Sequence, residues 1–192
     1  MLRQCLNGLL LLVVLTVLTG VVYPLAMTGV AQVVFPAQAN GSLIERDGKI
    51  IGSALIGQNF SQPSYFHGRP SAAGQDGYDA TSSSGTNLGP TSAKLMAAIK
   101  DKLGDVRQEN NLADNVIIPA DLVTSSGSGL DPDISLEGAY LQVERVATER
   151  GMTAEQVKSL IERHAKRPHL GFLGENRVNV LELNLELDKL SS

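Results

Sequence analysis

The side chains best suited to chemistry gather in two stretches: Y-F-H-G-R-P-S from Tyr65 to Ser71, and S-S-G-S-G-L-D-P-D from Ser125 to Asp133. Ser126 or Ser128, with His67 and Asp131, would supply the nucleophile, base and orienting acid of a serine hydrolase. The second stretch lacks the G-x-S-x-G elbow that exposes such a serine on a strained strand-to-helix turn. A plainer reading is a loop in which Gly127 and Gly129 let the backbone turn while Ser and Asp side chains hydrogen-bond to it. Asp131, Asp133 and Glu137 have the chemistry of calcium ligands, but an EF-hand needs a central Gly and a Glu at its twelfth position. Acidic groups at a helix entrance, which complement its dipole, account for them more simply. Gly-Ser-Gly is a poor phosphate cradle, because Walker A requires G-x-x-x-x-G-K-S/T and the chain has no such run. His67, His164 and His169 show no recurrent metal-ligand spacing.

Arg69 sits among aromatic and proline residues. There it is either an interface anchor for a carboxylate or carbonyl array, or half of a local ion pair that fixes its own loop. His67 reads as a loop hydrogen-bonding residue. The residues expected to touch a partner are therefore Tyr65, Phe66, His67, Arg69, Ser126, Ser128, Asp131 and Asp133, with no catalytic or metal set.

These stretches have to be positioned by the rest of the chain, beginning with an apolar segment. Between Arg3 and Glu45 there is no charged side chain. Leu6 to Met27 meets the ~20 residues that span a bilayer's hydrocarbon layer, and Pro24 lies near the far end, where a kink costs least. We read residues 1–5 as a short cytoplasmic start, 6–34 as one transmembrane helix and its exit, and 35–192 as a single compact extracytoplasmic α+β domain. The competing reading is a cleaved secretory signal ending at Ala37-Gln38-Ala39, but the uncharged run is longer than a 7–15-residue signal core. Arg3 and the amino terminus favour a cytoplasmic N-terminus. Beyond residue 40 the balance is 15 basic against 20 acidic side chains, or −5, which gives no overall electrostatic basis for binding nucleic acid or anionic lipid. The single Cys, Cys5, leaves the exported part without a disulfide.

Along the chain, Ser42–Ile44 and Lys49–Ile56 flank Arg46-Asp47-Gly48 as a hairpin. Gly57 to Pro90 has no periodicity, yet it carries Phe60, Tyr65, Phe66 and Tyr78, half of the eight aromatic residues. Disordered segments are aromatic-poor, so this loop is expected to be ordered. Thr91 or Ser92 caps a helix with a Leu95, Ile99, Leu103, Val106 stripe. Val116–Ile118 and Leu122–Thr124 read as short strands around Pro119. Ser135 caps a helix bearing Leu136, Ala139, Tyr140, Val143 and Ala147 and ending at Gly151. Thr153 and Gln156 form a capping box that starts another helix, flanked by Met152 and Val157 as a hydrophobic staple. Leu181, Leu183, Leu185 and Leu187, alternating with polar residues, predict a half-buried strand.

Several long motifs, in order, resemble the KdpC subunit of bacterial Kdp potassium pumps. They are G-V-V-Y-P-L (Gly20 to Leu25), A-N-G-S-L-I (Ala39 to Ile44), G-S-A-L-I-G-Q-N-F (Gly52 to Phe60), Y-F-H-G-R-P-S-A (Tyr65 to Ala72), S-G-T-N-L-G-P-T (Ser84 to Thr91), S-G-S-G-L-D-P-D-I-S (Ser126 to Ser135) and V-N-V-L-E-L-N-L-E-L-D (Val178 to Asp188). The resemblance implies a non-catalytic, single-pass subunit of a bacterial inner-membrane complex. Its implied partners are a catalytic P-type ATPase subunit, a channel-like potassium-binding subunit and a small single-helix subunit. It also implies a role in assembly and in raising the catalytic subunit's affinity for ATP. The D-K-T-G-T phosphorylation motif of P-type ATPases is absent. With the domain outside and ATP inside, such an effect would be indirect, by favouring a pump conformation; a direct ATP site would require the reversed orientation. A membrane-anchored hydrolase or a secreted binding domain is the alternative.

Overall fold

The computed structural model describes residues 1–168 and 170–190; His169 lies outside the described residues. The chain divides into two compact units, Met1–Ser53 and Ala54–Ser192.

In the first unit, α1 (Leu2–Val17), a π-helical stretch (Leu18–Val22) and α2 (Tyr23–Val34) form one continuous helix with no buried residue. The widened turn directly precedes Pro24, whose missing N–H cannot complete an ordinary i to i−4 bond, a recognised cause of such bulges. Thr19 and Thr28 turn their hydroxyls inward, donating to Leu15 O at 2.7 Å and Pro24 O at 2.8 Å. The helix therefore presents Leu, Val and Met on every side, and these two hydroxyls are satisfied within it, as a hydrocarbon environment demands. It is one helix long and apolar enough to cross a membrane. The short α3 (Pro36–Ala39) follows, then the expected hairpin of β1 (Leu43–Arg46) and β2 (Lys49–Ser53). Asp47 and Gly48 both hold positive φ in its turn (52° and 72°), and β2 ends at Ser53, short of the expected Ile56.

The second unit is α+β, as expected. The chain from Ala54 to Ser92 runs without helix or strand into α4 (Ala93–Glu109), which Ser92 caps by accepting from Leu95 N–H. The strands expected at 116–118 and 122–124 are not formed. Pro119 instead starts a 3-10 turn at Ala120–Leu122, and the Thr124 hydroxyl folds back onto Ala120 O at 2.6 Å. β3 (Asp133–Ser135) leads into α5 (Leu136–Leu141) and α6 (Val143–Arg150), which ends at the left-handed Gly151. α7 (Ala154–His164) begins with the expected capping box. β4 (Arg177–Asn179) pairs antiparallel with β3, Ile134 opposite Val178, and continues into α8 (Val180–Leu190).

α8 replaces the strand expected at Leu181–Leu187. Its buried residues include Val180, Leu183, Asn184 and Leu187, the i, i+3, i+4, i+7 pattern of a helix face. Asn179 caps it by accepting from Glu182 N–H at 3.0 Å. The alternating leucines mimicked a strand because a polar residue, Asn184, occupies the middle of the buried stripe. The core lies where α5–α8 meet, around Val143, Val157, Leu160, Ile161, Leu183 and Leu187.

Candidate functional site: two loops joined over a helical core

The 65–71 stretch is held to the helices by side chains that act as if they were backbone. Asn184 accepts from Phe66 N–H (2.8 Å) and donates to Phe66 O (2.9 Å). Gln142 accepts from His67 N–H (2.7 Å) and donates to His67 O (3.1 Å). Two carboxamides thus replace a neighbouring strand. Gln142 also donates to Gly138 O at 3.2 Å, and it sits at the α5–α6 break. Arg145 binds Tyr65 O (2.9 Å), Pro63 O, Asn110 Oδ1 (3.0 Å) and Gln142 Oε1 (2.7 Å). Arg150 donates to Ser64 O and Asp188 and lies 4.5 Å from the Tyr65 ring centroid, while the Tyr65 hydroxyl donates to Asp188 (3.0 Å).

A second set of bonds joins this stretch to 125–133. Arg69 pairs with Asp131 at 2.9 Å, and the Ser71 hydroxyl donates to Gly129 O at 2.6 Å. Gly129 has φ of 68°, and a Cβ there would stand 2.5 Å from Ser84 O and 2.8 Å from Ala73 N, so only glycine permits the crossing. Tyr78 closes the joint from beneath, its N–H bound to Ser71 Oγ and its hydroxyl donating to Arg69 O at 2.6 Å. Burial, with the Asp131 charge second, pushes the Tyr78 phenol up to about 12, so it remains a donor. Asp131 also accepts from Asp133 N–H, and Asp133 pairs with Arg177 at 2.9 Å. Burial raises the Asp133 carboxyl despite Lys166 and Arg177 nearby.

The structure does not assemble a serine hydrolase from these residues. The two His67 ring nitrogens face Glu109 (3.2 Å) and Gln62 O (3.1 Å). Ser126 and Ser128 accept from Gly129 and Leu130 N–H, and Asp131 is engaged by Arg69. Among the described residues, no group of three or more His, Cys, Asp or Glu could hold a metal ion. Phe66 is fully buried, so whatever this stretch offers a partner comes from its neighbours. Arg69 and Asp131 border both a cleft of about 980 Å³, which reaches Asp121, Asp133, Glu137 and Arg177, and a shallower groove of about 640 Å³ along Ser125–Ser128. The two loops therefore form one concave, charged surface with fixed backbone. Sequence reasoning missed Gln142, Arg145, Arg150 and Asn184; the carboxamides of Gln142 and Asn184, interrupting otherwise apolar helix faces, were a signal for those two, and the arginines gave none.

Compared with known protein families, residues 5–189 match KdpC, described as "K+-transporting ATPase, c chain". The chain belongs to the KdpC family. Relatives named "Potassium-transporting ATPase KdpC subunit" include one from Mycobacterium bovis, 58% identical over 188 residues and covering 98% of this chain and 99% of the relative. Others come from Gemmatimonas aurantiaca, 55% identical over 192 residues (100% and 96% covered), and Bradyrhizobium diazoefficiens, 52% identical over 203 residues (100% of both). The KdpC match spans the apolar helix and both joined loops, so helix and domain belong to one family unit.

Proposed function

We propose that this chain is the accessory subunit of a bacterial K+-transporting ATPase, anchored in the inner membrane by its single helix and working as part of a complex. The observation that carries this reading is the KdpC match along almost the whole length, helix included. Arg3 before the helix supports a cytoplasmic N-terminus and an extracytoplasmic domain. The partners are the channel-like potassium-binding subunit, whose outer mouth the domain covers, the catalytic P-type subunit and a small single-helix subunit. The joined loops at Tyr65–Ser71 and Ser126–Asp133 supply the contact surface. The effect on ATP is conformational: contacts at the outer face favour the state of the pump with higher nucleotide affinity, with no ATP bound to this chain.

The test is mild-detergent purification of the tagged chain from membranes of potassium-starved cells, with mass spectrometry of its companions. Co-recovery of a P-type ATPase chain and a channel-like chain at comparable amounts is expected. Recovery of this chain alone, or cleaved near Ala39, would sink the proposal. Arg69→Ala, which opens the Arg69–Asp131 joint, is expected to lower recovery of the complex while the isolated chain stays folded; full recovery with normal transport would remove the joint from the contact surface.

A further inference from the structure

The segment between α7 and β4 is built as a finger. Its neck is closed by reciprocal backbone bonds, Lys166 N–H to Arg177 O (2.8 Å) and Arg177 N–H to Lys166 O (3.1 Å). Beyond the neck, Gly171 N–H turns back onto Pro168 O at 3.0 Å, and Leu170, Gly171 and Gly174 hold φ of 55°, 83° and 103°. The left-handed region is disfavoured for a leucine by its Cβ. The apolar side chains here face outward: Leu170, Phe172 and Leu173 are 76%, 74% and 53% exposed. From residue 163 to 177 the charged groups are Arg163, Lys166, Arg167 and Arg177 against Glu175 alone, in a chain of net charge −4. Lys166 and Arg177 hold Glu182 and Asp133 as partners; among the described residues Arg163 donates to the Ser159 hydroxyl and lies within electrostatic reach of Glu186, which Lys189 already pairs.

An apolar tip of leucine and phenylalanine on a cationic neck has the chemistry of a segment that enters a lipid interface. The rings and branched chains sit at the acyl boundary, and Lys and Arg reach the headgroups. A bilayer is always at hand, because the chain carries its own membrane helix. A domain of this size has a radius of gyration of about 14 Å, so the tether holds its whole surface at high effective concentration near the membrane. We propose that the Leu170–Leu173 tip inserts into the interface of the bilayer that anchors the chain, with anionic headgroups around its basic neck. This rests on the anchored reading above.

The chain has no Trp, so Phe172→Trp at this exposed position introduces a unique reporter without touching the core. The full chain carrying Phe172→Trp is reconstituted in vesicles of phosphatidylethanolamine and phosphatidylglycerol. Its emission is expected to be blue-shifted, largely lost when the lipids are brominated near the headgroup, and shielded from aqueous iodide. Adding Leu170→Gln and Leu173→Gln is expected to reverse all three, and Arg167→Glu to weaken them in proportion to the anionic lipid. A chain that floats with the vesicles but keeps a water-exposed, iodide-accessible indole would overturn the finger proposal and leave the anchor standing. A blue-shifted indole untouched by bromolipid would also overturn it, since a second copy of the chain then covers the tip. A chain that does not float with the vesicles at all would overturn both readings.

Discussion

Residues 54–92 and the helices from Leu136 to Leu190 are both ordered, but by different forces. The helices share an apolar interior in which Val143, Val157, Leu160, Ile161, Leu183 and Leu187 are almost completely buried. The 54–92 segment contributes few such residues, chiefly Phe66 and Ala73, and is held by directed polar bonds from Asn184, Gln142, Arg145 and Arg150. Apolar burial is non-directional and tolerates compensating shifts; a buried hydrogen bond works in one geometry, and its loss leaves a desolvated partner. The proposed contact surface is thus laid on the helices by bonds that fix loop conformation, and the helices supply the stability.

That contrast can be broken at two neighbouring residues of α8. Leu183→Ala removes a fully buried side chain from the shared core and is expected to lower global stability by about 3 kcal/mol. It should shift the urea midpoint of the helices and the loop together. Asn184→Leu keeps the volume apolar but strands Phe66 N–H and O. The expected cost is about 2 kcal/mol, because the loop can detach and rehydrate instead of unfolding the domain. Native-state hydrogen exchange is then expected to show the amides of 57–90 losing protection while α7 keeps its own. Equal loss across both regions would mean that loop and core are one cooperative unit.

The same division decides what the sequence made legible. The caps at Ser92, Ser135 and Thr153 were readable because a cap is a local pattern, closed within about four residues. The hairpin turn at Asp47-Gly48 was readable for the same reason. α8 was misread because the period-2 leucines are as regular as the period-3.6 face, and Asn184 looked like a solvent residue until Phe66 supplied its partner 118 positions away. The pairing of Arg69 with Asp131, across 62 positions, is of the same non-local kind. Both candidate stretches were visible as reactive composition, but that they form one surface was not, since no local pattern records which loop a side chain will reach.

The smallest expected effect concerns pH, and it falls on the loop side of the comparison. Burial, with the Arg145 charge next, holds the His67 imidazole below its ordinary 6.5, against the opposing pull of Gln62 O and Glu109. As pH falls below 6.5 the unfolded chain therefore takes up this proton before the folded chain does. Stability is complete above 6.5 and is lost as pH drops through the interval down to the depressed value. Asp133 acts with the opposite sign and in a different window. Burial raises its carboxyl above 3.8, so the folded state keeps that proton longer and stability falls as pH rises through the interval just above 3.8. Comparing the wild type with His67→Gln between pH 7.5 and 5.5 isolates the imidazole, because the contributions of all other groups cancel in the difference. The wild type is expected to lose more stability than the variant over that range, with the excess appearing first as exchange at the amides around His67. Identical slopes would mean that the ring is already solvated in the folded state and that the polar joint around Gln142 and Arg145 is looser than its distances indicate.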